Sequence, residues 1–311
     1  MTQQAPYIEQ IRDTTEYLAP PDWRQATKVV DTFLTDGDFI KRLEARRLDP
    51  TDITTTGYAD TLSFYGEDYC TVNQLEGLLD QSQADQIKLL SNAPLFLHNL
   101  NEIAYCEKLR KSYRFSQAEG HYYQGLKLYA VWYNQLLANY AYSNPGGTMS
   151  DLNTALVQQS ATIFPGNEDV ATCAVAMATR GARTEAVARH LFDLAGIEYT
   201  PGTLEEDLQG GDFIVMYKGH RVKVDIKSSL HQIAQLRGGY AQISREHINY
   251  AIKELACNQG RKRQFVVVLY GGFTDADLGD SLGMQLPQEA AQQHAESLAW
   301  QLRRALEELW S

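Results

Sequence analysis

Apolar residues change their spacing partway along the chain. Through the first half they recur every three or four residues, as on one side of a helix. Asp22 precedes Trp23, Ala26, Val29, Val30 and Phe33, the mark of a helix with an acidic N-cap. A second helix is predicted over residues 95–110. After His121, the residues Tyr122, Leu126, Tyr129, Tyr133, Leu136 and Tyr140 form one stripe of a long helix, ended by Asn144-Pro145-Gly146-Gly147. Tyrosines can stack on nucleobases, but a stripe at helical spacing fits a core or a dimer seam better. Residues 52–71 read as loop or short strand.

Alternation enters in the second half. Residues 183–195 read as a helix with Val187, Leu191, Phe192 and Leu194 on its apolar side, and Gly196 sits just past its end. Residues 197–199 read as a short strand. Residues 212–217 and 220–228 read as two strands joined by Lys218-Gly219. Residues 244–258 are predicted to be a helix capped by Ser244, with Ile248, Ala251, Ile252 and Leu255 inward. The run QFVVVLY, residues 264–270, reads as a buried strand, and Pro287 opens a last helix carrying Leu298, Leu302, Leu306 and Leu309. The predicted order over residues 183–270 is α-β-β-β-α-β. A boundary near residue 165, at Pro165-Gly166-Asn167, divides a mostly helical region, 1–165, from an α/β domain, 166–311.

At 311 residues and 44% hydrophobic, the chain has material for about two packed cores. No apolar run approaches the roughly 20 residues that span a bilayer, and the N-terminus has no basic-then-apolar leader. No membrane partner and a cytoplasmic location are therefore expected. Cys70, Cys106, Cys173 and Cys257 form no CxxC pair, which excludes a zinc or iron–sulfur site built on close pairs. Walker A and HExxH patterns are absent. The net charge of −11 argues against a general nucleic-acid coat protein. The balance is uneven, however: residues 218–263 hold ten basic residues against three acidic ones. A basic patch on an acidic body suits a protein that grips a polyanion at one place.

A two-residue turn at Lys218-Gly219 sets the hairpin register. It pairs Tyr217 with His220, Val215 with Val222 and Phe213 with Val224, and by extension Asp212 with Asp225. Phe213, Val215, Tyr217, Val222, Val224 and Ile226 then share the core side, while Asp212, Asp225 and Lys227 share the other. Directly opposed carboxylates repel each other, and a hinge-free hairpin meant only to fold would avoid them. A divalent cation converts that repulsion into a site, since Mg²⁺ takes one or two carboxylates with water and phosphate oxygens. Lys227 is placed to orient a water or neutralise a phosphate. Glu185, read as lying in the first turn of the preceding helix, is a third acid.

These residues resemble the PD-(D/E)XK nuclease superfamily, the restriction-endonuclease-like fold. Its core is α-β-β-β-α-β, and its motif is an acid before a hairpin followed by D/E-x-K. The likeness covers about residues 180–271 and reads Gly211-Asp212, then Asp225-Ile226-Lys227, with Glu185 at the helical acid of many members. Gly211 stands where the motif has proline. The resemblance implies a Mg²⁺-dependent deoxyribonuclease, with Mn²⁺ as substitute. Asp212, Asp225 and the Ile226 carbonyl would bind the metal, Glu185 would bear on it directly or through water, and Lys227 would assist the attacking water. RecB-like exonucleases carry a glutamine where this chain has Glu246 in Glu246-x-x-x-Tyr250, so a restriction-type or repair-type endonuclease is expected. Arg221 and Lys223, on the Lys227 side of the strand, and Arg237 and Arg245 beyond it, are the expected DNA contacts. Cutting both strands with this fold implies two active sites, hence a homodimer. Residues 1–165 are expected to serve recognition or dimerisation. The rival readings are a nucleic-acid-binding protein on the same scaffold without cleavage, and an interaction protein whose helical half does the work.

Overall fold

The computed structural model describes residues 81–111, 114–163, 168–208, 210–236, 249–255, 264–283 and 286–310. The expected helix after Asp22, the 52–71 segment, Arg237 and Arg245 lie outside them. The chain divides into two compact units, Met1–Arg180 and Gly181–Ser311. The division falls inside a helix, and the boundary expected near residue 165 lies at residues outside the described ones. Among the described residues, no helix is long and apolar enough to cross a membrane.

The N-terminal unit contains α1 (Gln81–Arg110), α2 (Gln117–Ser143), α3 (Met149–Ile163) and the first part of α4 (Glu168–Ala195). The described tyrosines of the α2 stripe are core. Tyr129, Tyr133 and Tyr140 are buried against α1, which supplies the polar partners their hydroxyls need. Tyr129 donates to Asn92 Oδ1 (2.9 Å), Tyr133 donates to the Leu89 carbonyl (2.9 Å), and Tyr140 accepts from Gln86 Nε2 (3.2 Å). Phe96 stacks on Tyr133 at 4.3 Å. These rings are closed to nucleobases. Asn144–Gly147 is the turn between α2 and α3, and Thr148 caps α3 by accepting from the Asp151 N–H at 3.1 Å.

The C-terminal unit follows with β1 (Tyr199–Pro201), α5 (Leu204–Leu208), β2 (Phe213–Tyr217), β3 (His220–Lys227) and α6 (Leu230–Leu236). Then come β4 (Tyr250–Leu255), β5 (Gln264–Tyr270), α7 (Asp275–Leu278) and α8 (Gln288–Leu309). The five strands make one open mixed sheet in the order β1-β2-β3-β5-β4. The β1–β2 and β2–β3 pairs are antiparallel, β3 and β5 are parallel, and β4 closes the far edge antiparallel to β5.

The β2–β3 register is the one the turn dictates, with Phe213 opposite Val224 and Tyr217 opposite His220. Lys218 and Gly219 both have positive φ (48° and 78°), the geometry of a two-residue turn that follows the strand twist. Phe213, Val215, Val222, Val224 and Ile226 meet Leu191 and Phe192 of α4 and Leu298, Leu302 and Leu306 of α8 in the main core. On the opposite side a smaller cluster joins Ala251, Val266 and Val268 to Ile233 of α6.

Two expectations change. The described part of the helix predicted over residues 244–258 is a strand, β4. Its apolar residues satisfy both periods: Tyr250 and Ile252 enter the main core while Ala251 and Leu255 join the smaller cluster, as alternate faces of a strand do. Pairing with the otherwise open edge of β5 selects the extended form. The helix read from residue 183 begins at Glu168, because the alanine-rich segment before it extends the helix at little cost. Glu185 therefore sits well inside α4 and not in its first turn.

Candidate active site

Asp212 stands just before β2, and its position is fixed from both sides. The Gly202 N–H donates to the Asp212 carbonyl at 2.9 Å, anchoring the backbone to the end of β1. The Asp212 carboxylate reaches across the hairpin, where Oδ2 accepts from the Ile226 N–H at 3.2 Å. That bond sets it beside Asp225, which points to the same side of β3 while the Ile226 side chain enters the core. Lys227 follows on the Asp225 side, with Nζ 2.7 Å from Asp225 Oδ1. The Asp225 side chain is 9% exposed and that of Lys227 35%, so the carboxylate is enclosed and the amine faces the opening.

Burial pushes the Asp225 carboxyl well above the usual carboxylate range, and the neighbouring charge of Asp212 pushes it further against the pull of Lys227. Burial also drives the Glu185 carboxyl up to about 7; the Arg189 guanidinium pulls it down, while Asp212 and Asp207 push it up. Lys227 behaves in reverse. Burial disfavours its ammonium, but Asp225 and Asp212 outweigh that and hold it above the ordinary lysine value.

The site is thus short of positive charge. Two facing carboxylates that resist joint ionisation are a donor set suited to a hard divalent cation, which needs one or two carboxylates and completes its shell with water. Asp212 and Asp225 fit that demand. Among the described residues, no group of three or more His, Cys, Asp or Glu is arranged to hold a metal ion. Glu185, expected to bear on the metal directly or through water, bonds Arg189 one turn along α4.

The raised carboxyls make stability pH-dependent. Between the ordinary value of 4.5 and about 7, Glu185 binds more protons folded than unfolded, so stability falls as pH rises through that window and levels off above it. Asp225 acts in the same direction. In divalent-free buffer the melting temperature is expected to drop between pH 5 and pH 8, and Glu185→Gln should flatten the drop. A profile that rises instead would show that the ion pairs with Arg189 and Lys227 dominate.

The structure brings together Asp212, Asp225 and Lys227, with Glu185 near enough to feel Asp212. Arg221 and Lys223 lie farther up β3, where Arg221 donates to Glu206 Oε1 at 3.0 Å. Three contributors escaped the sequence reading: Arg189, Asp207 and Gly202. Asp207 lies on α5, whose start has a local signature, since Thr203 Oγ1 accepts from the Glu206 N–H and Glu206 Oε2 accepts from the Thr203 N–H. Reading Thr203-x-x-Glu206 as a capping box would have placed Asp207 on a short helix just ahead of the hairpin. Arg189 also has a local mark, since it follows Glu185 by four residues on one helix, whereas nothing local marks Gly202. No protein-family model, curated protein or solved structure matches this chain.

Proposed function

We propose that the C-terminal unit is a metal-dependent endonuclease that hydrolyses phosphodiester bonds in DNA, restriction-type or repair-type. The observation that carries this reading is the meeting of Asp212, Asp225 and Lys227 at one end of a tight hairpin, with the Asp225 charge enclosed and under-compensated. The order α4-β1-α5-β2-β3-α6-β4-β5, with β3 parallel to β5, supports a restriction-endonuclease-like core to which α5 and the edge strand β4 are additions.

Asp212 and Asp225 would hold Mg²⁺, or Mn²⁺ in its place, joined by the Ile226 carbonyl. Bound there, the ion supplies charge neutralisation at the phosphate and a more acidic water. The chain's own residues do the rest. The Asp225 carboxylate keeps the Lys227 ammonium at the mouth of the site, aimed at a water or a non-bridging oxygen. The Ile226 N–H fixes the Asp212 carboxylate. Arg221, exposed on the same side of β3, offers a cation to the strand backbone.

The test is nicking of supercoiled plasmid in Mg²⁺ by the full chain and by the Asp225→Ala and Lys227→Ala variants. Cleavage by the wild type and its loss in both variants, with DNA binding retained, is the expected result. Binding without cleavage in Mg²⁺ or Mn²⁺ would replace the enzyme with a binding module, and no binding would leave an interaction protein. Sequencing the cut ends separates a fixed motif, expected of restriction, from dependence on a junction or an end, expected of repair.

A further inference from the structure

Among the described residues, a cavity of about 410 Å³ opens where the parallel strands β3 and β5 begin. Arg221, which lines it, precedes Asp225 by four residues, so the cavity lies about 13 Å along β3 from the carboxylate pair. One wall is aromatic. The His220 ring stacks on the Trp310 indole at 5.2 Å with 23° between planes, and Trp310 in turn leans on Tyr217 at 5.8 Å. Trp310 remains 37% exposed, and Phe265 adds a further ring to the lining. The other wall is charged. Arg221 is 63% exposed and gives one N–H to Glu206, which leaves the rest of its guanidinium fork facing the cavity rim. Lys223 is partly enclosed, and burial lowers its ammonium, with Arg221 pressing the same way and Glu206 opposing. An anion placed here would meet two cations that share one carboxylate, Glu206.

A flat ring and an anion within one small space describe a nucleotide. We propose that this cavity is a nucleotide subsite, in which an unpaired base lies against Trp310 and His220 and its phosphate is held by Arg221 and Lys223. The same chemistry is offered by a free mononucleotide and by a nucleotide within a strand. Arg221 and Lys223 share the Asp225 face of β3, so a strand running from the carboxylate pair along that face would meet the charged wall of the cavity. The strand assignment rests on the nuclease reading, whereas recognition of base and phosphate stands without it.

Binding is measured on the full chain in EDTA, where no metal-dependent cleavage occurs, with a fluorescent twelve-nucleotide single strand and with dAMP as competitor. Truncating one stacking ring costs about 1–3 kcal/mol per base, so Trp310→Ala should weaken strand binding by about tenfold or more. Arg221→Ala should weaken it and reduce its salt dependence. Trp310→Phe keeps a ring and should retain most of the affinity, which separates stacking from damage to the fold. Trp300→Ala, on an exposed tryptophan outside the cavity, should bind as the wild type does. Competition by dAMP would show that one nucleotide suffices, and its failure beside Trp310-dependent strand binding would show that the strand is required. The subsite is overturned if the wild type binds neither probe, if Trp310→Ala binds normally, or if Trp300→Ala loses as much. Plasmid nicking is a separate readout: its absence alongside Trp310-dependent binding sinks the nuclease and spares the subsite, and the converse result sinks only the subsite.

Discussion

Asp225→Asn is expected to lower cleavage by about 10³-fold or more and to raise the melting temperature in metal-free buffer. The two effects share one cause. Asp225 is enclosed beside Asp212, and both burial and that neighbour oppose its ionisation. Asparagine preserves the shape and removes the charge, so folding no longer brings two carboxylates together. Lys227 keeps Asp212 as a counter-charge, since both aspartates hold its ammonium above the ordinary value. Each kcal/mol recovered should lift the midpoint by about 2 °C, since the shift shrinks as chain length grows. The loss of activity follows from removing one of the two carboxylates meant for the cation, a loss at least as large as that of a single transition-state donor, about 10²–10³. Thermal melts in EDTA and plasmid nicking in Mg²⁺ read the two halves independently. A melting temperature that falls by several degrees would show that the Asp225–Lys227 pair outweighs the carboxylate repulsion, and the site would then look structural.

Gly202→Ala should cost about 10² in cleavage although residue 202 carries no chemistry. A Cβ at this position would lie 2.3 Å from the Gly211 carbonyl oxygen and 3.4 Å from that of Asp212. Both obstacles are backbone, so no side chain can swing aside. The Gly202 N–H already donates to the Asp212 carbonyl, which ties the two segments at the very place where the methyl must fit. Relief therefore means moving Gly211 and Asp212, and a displacement of about 1 Å at a reacting group is worth on the order of 10² in rate. Gly181→Ala is the matching control. Its Cβ would meet nothing within 4 Å, and alanine within a helix is favoured by about 0.5–1 kcal/mol, so cleavage should hold while stability rises slightly. Wild-type cleavage by Gly202→Ala would mean that Asp212 is not positioned through this contact.

The hairpin was legible in the sequence because everything that determines it is local. Two strands with a two-residue turn admit one register, and alternation then sorts Val222, Val224 and Ile226 from Lys223, Asp225 and Lys227 without reference to the rest of the chain. The tyrosine stripe of α2 was readable as a buried face for the same reason. Its hydroxyl partners on α1 were not, since Asn92 and Leu89 lie 37 and 44 residues from the tyrosines they serve.

Segment 250–255 shows where local reading fails. Apolar residues at 251, 252 and 255 fit a helix, and at 250 and 252 they fit a strand. Only the unpaired edge of β5 decides between them, because an open ladder of backbone donors and acceptors gains a full set of hydrogen bonds from one state and none from the other. The same distinction separates the parts of the site. Residue types and spacing along one ribbon determined that Asp212, Asp225 and Lys227 share a face. That Asp225 is enclosed and that Gly202 anchors Asp212 came only with tertiary packing, whose contacts arise between segments that carry no periodic trace of one another, whereas the Glu185–Arg189 pair is an i,i+4 contact within α4 that spacing alone could have shown.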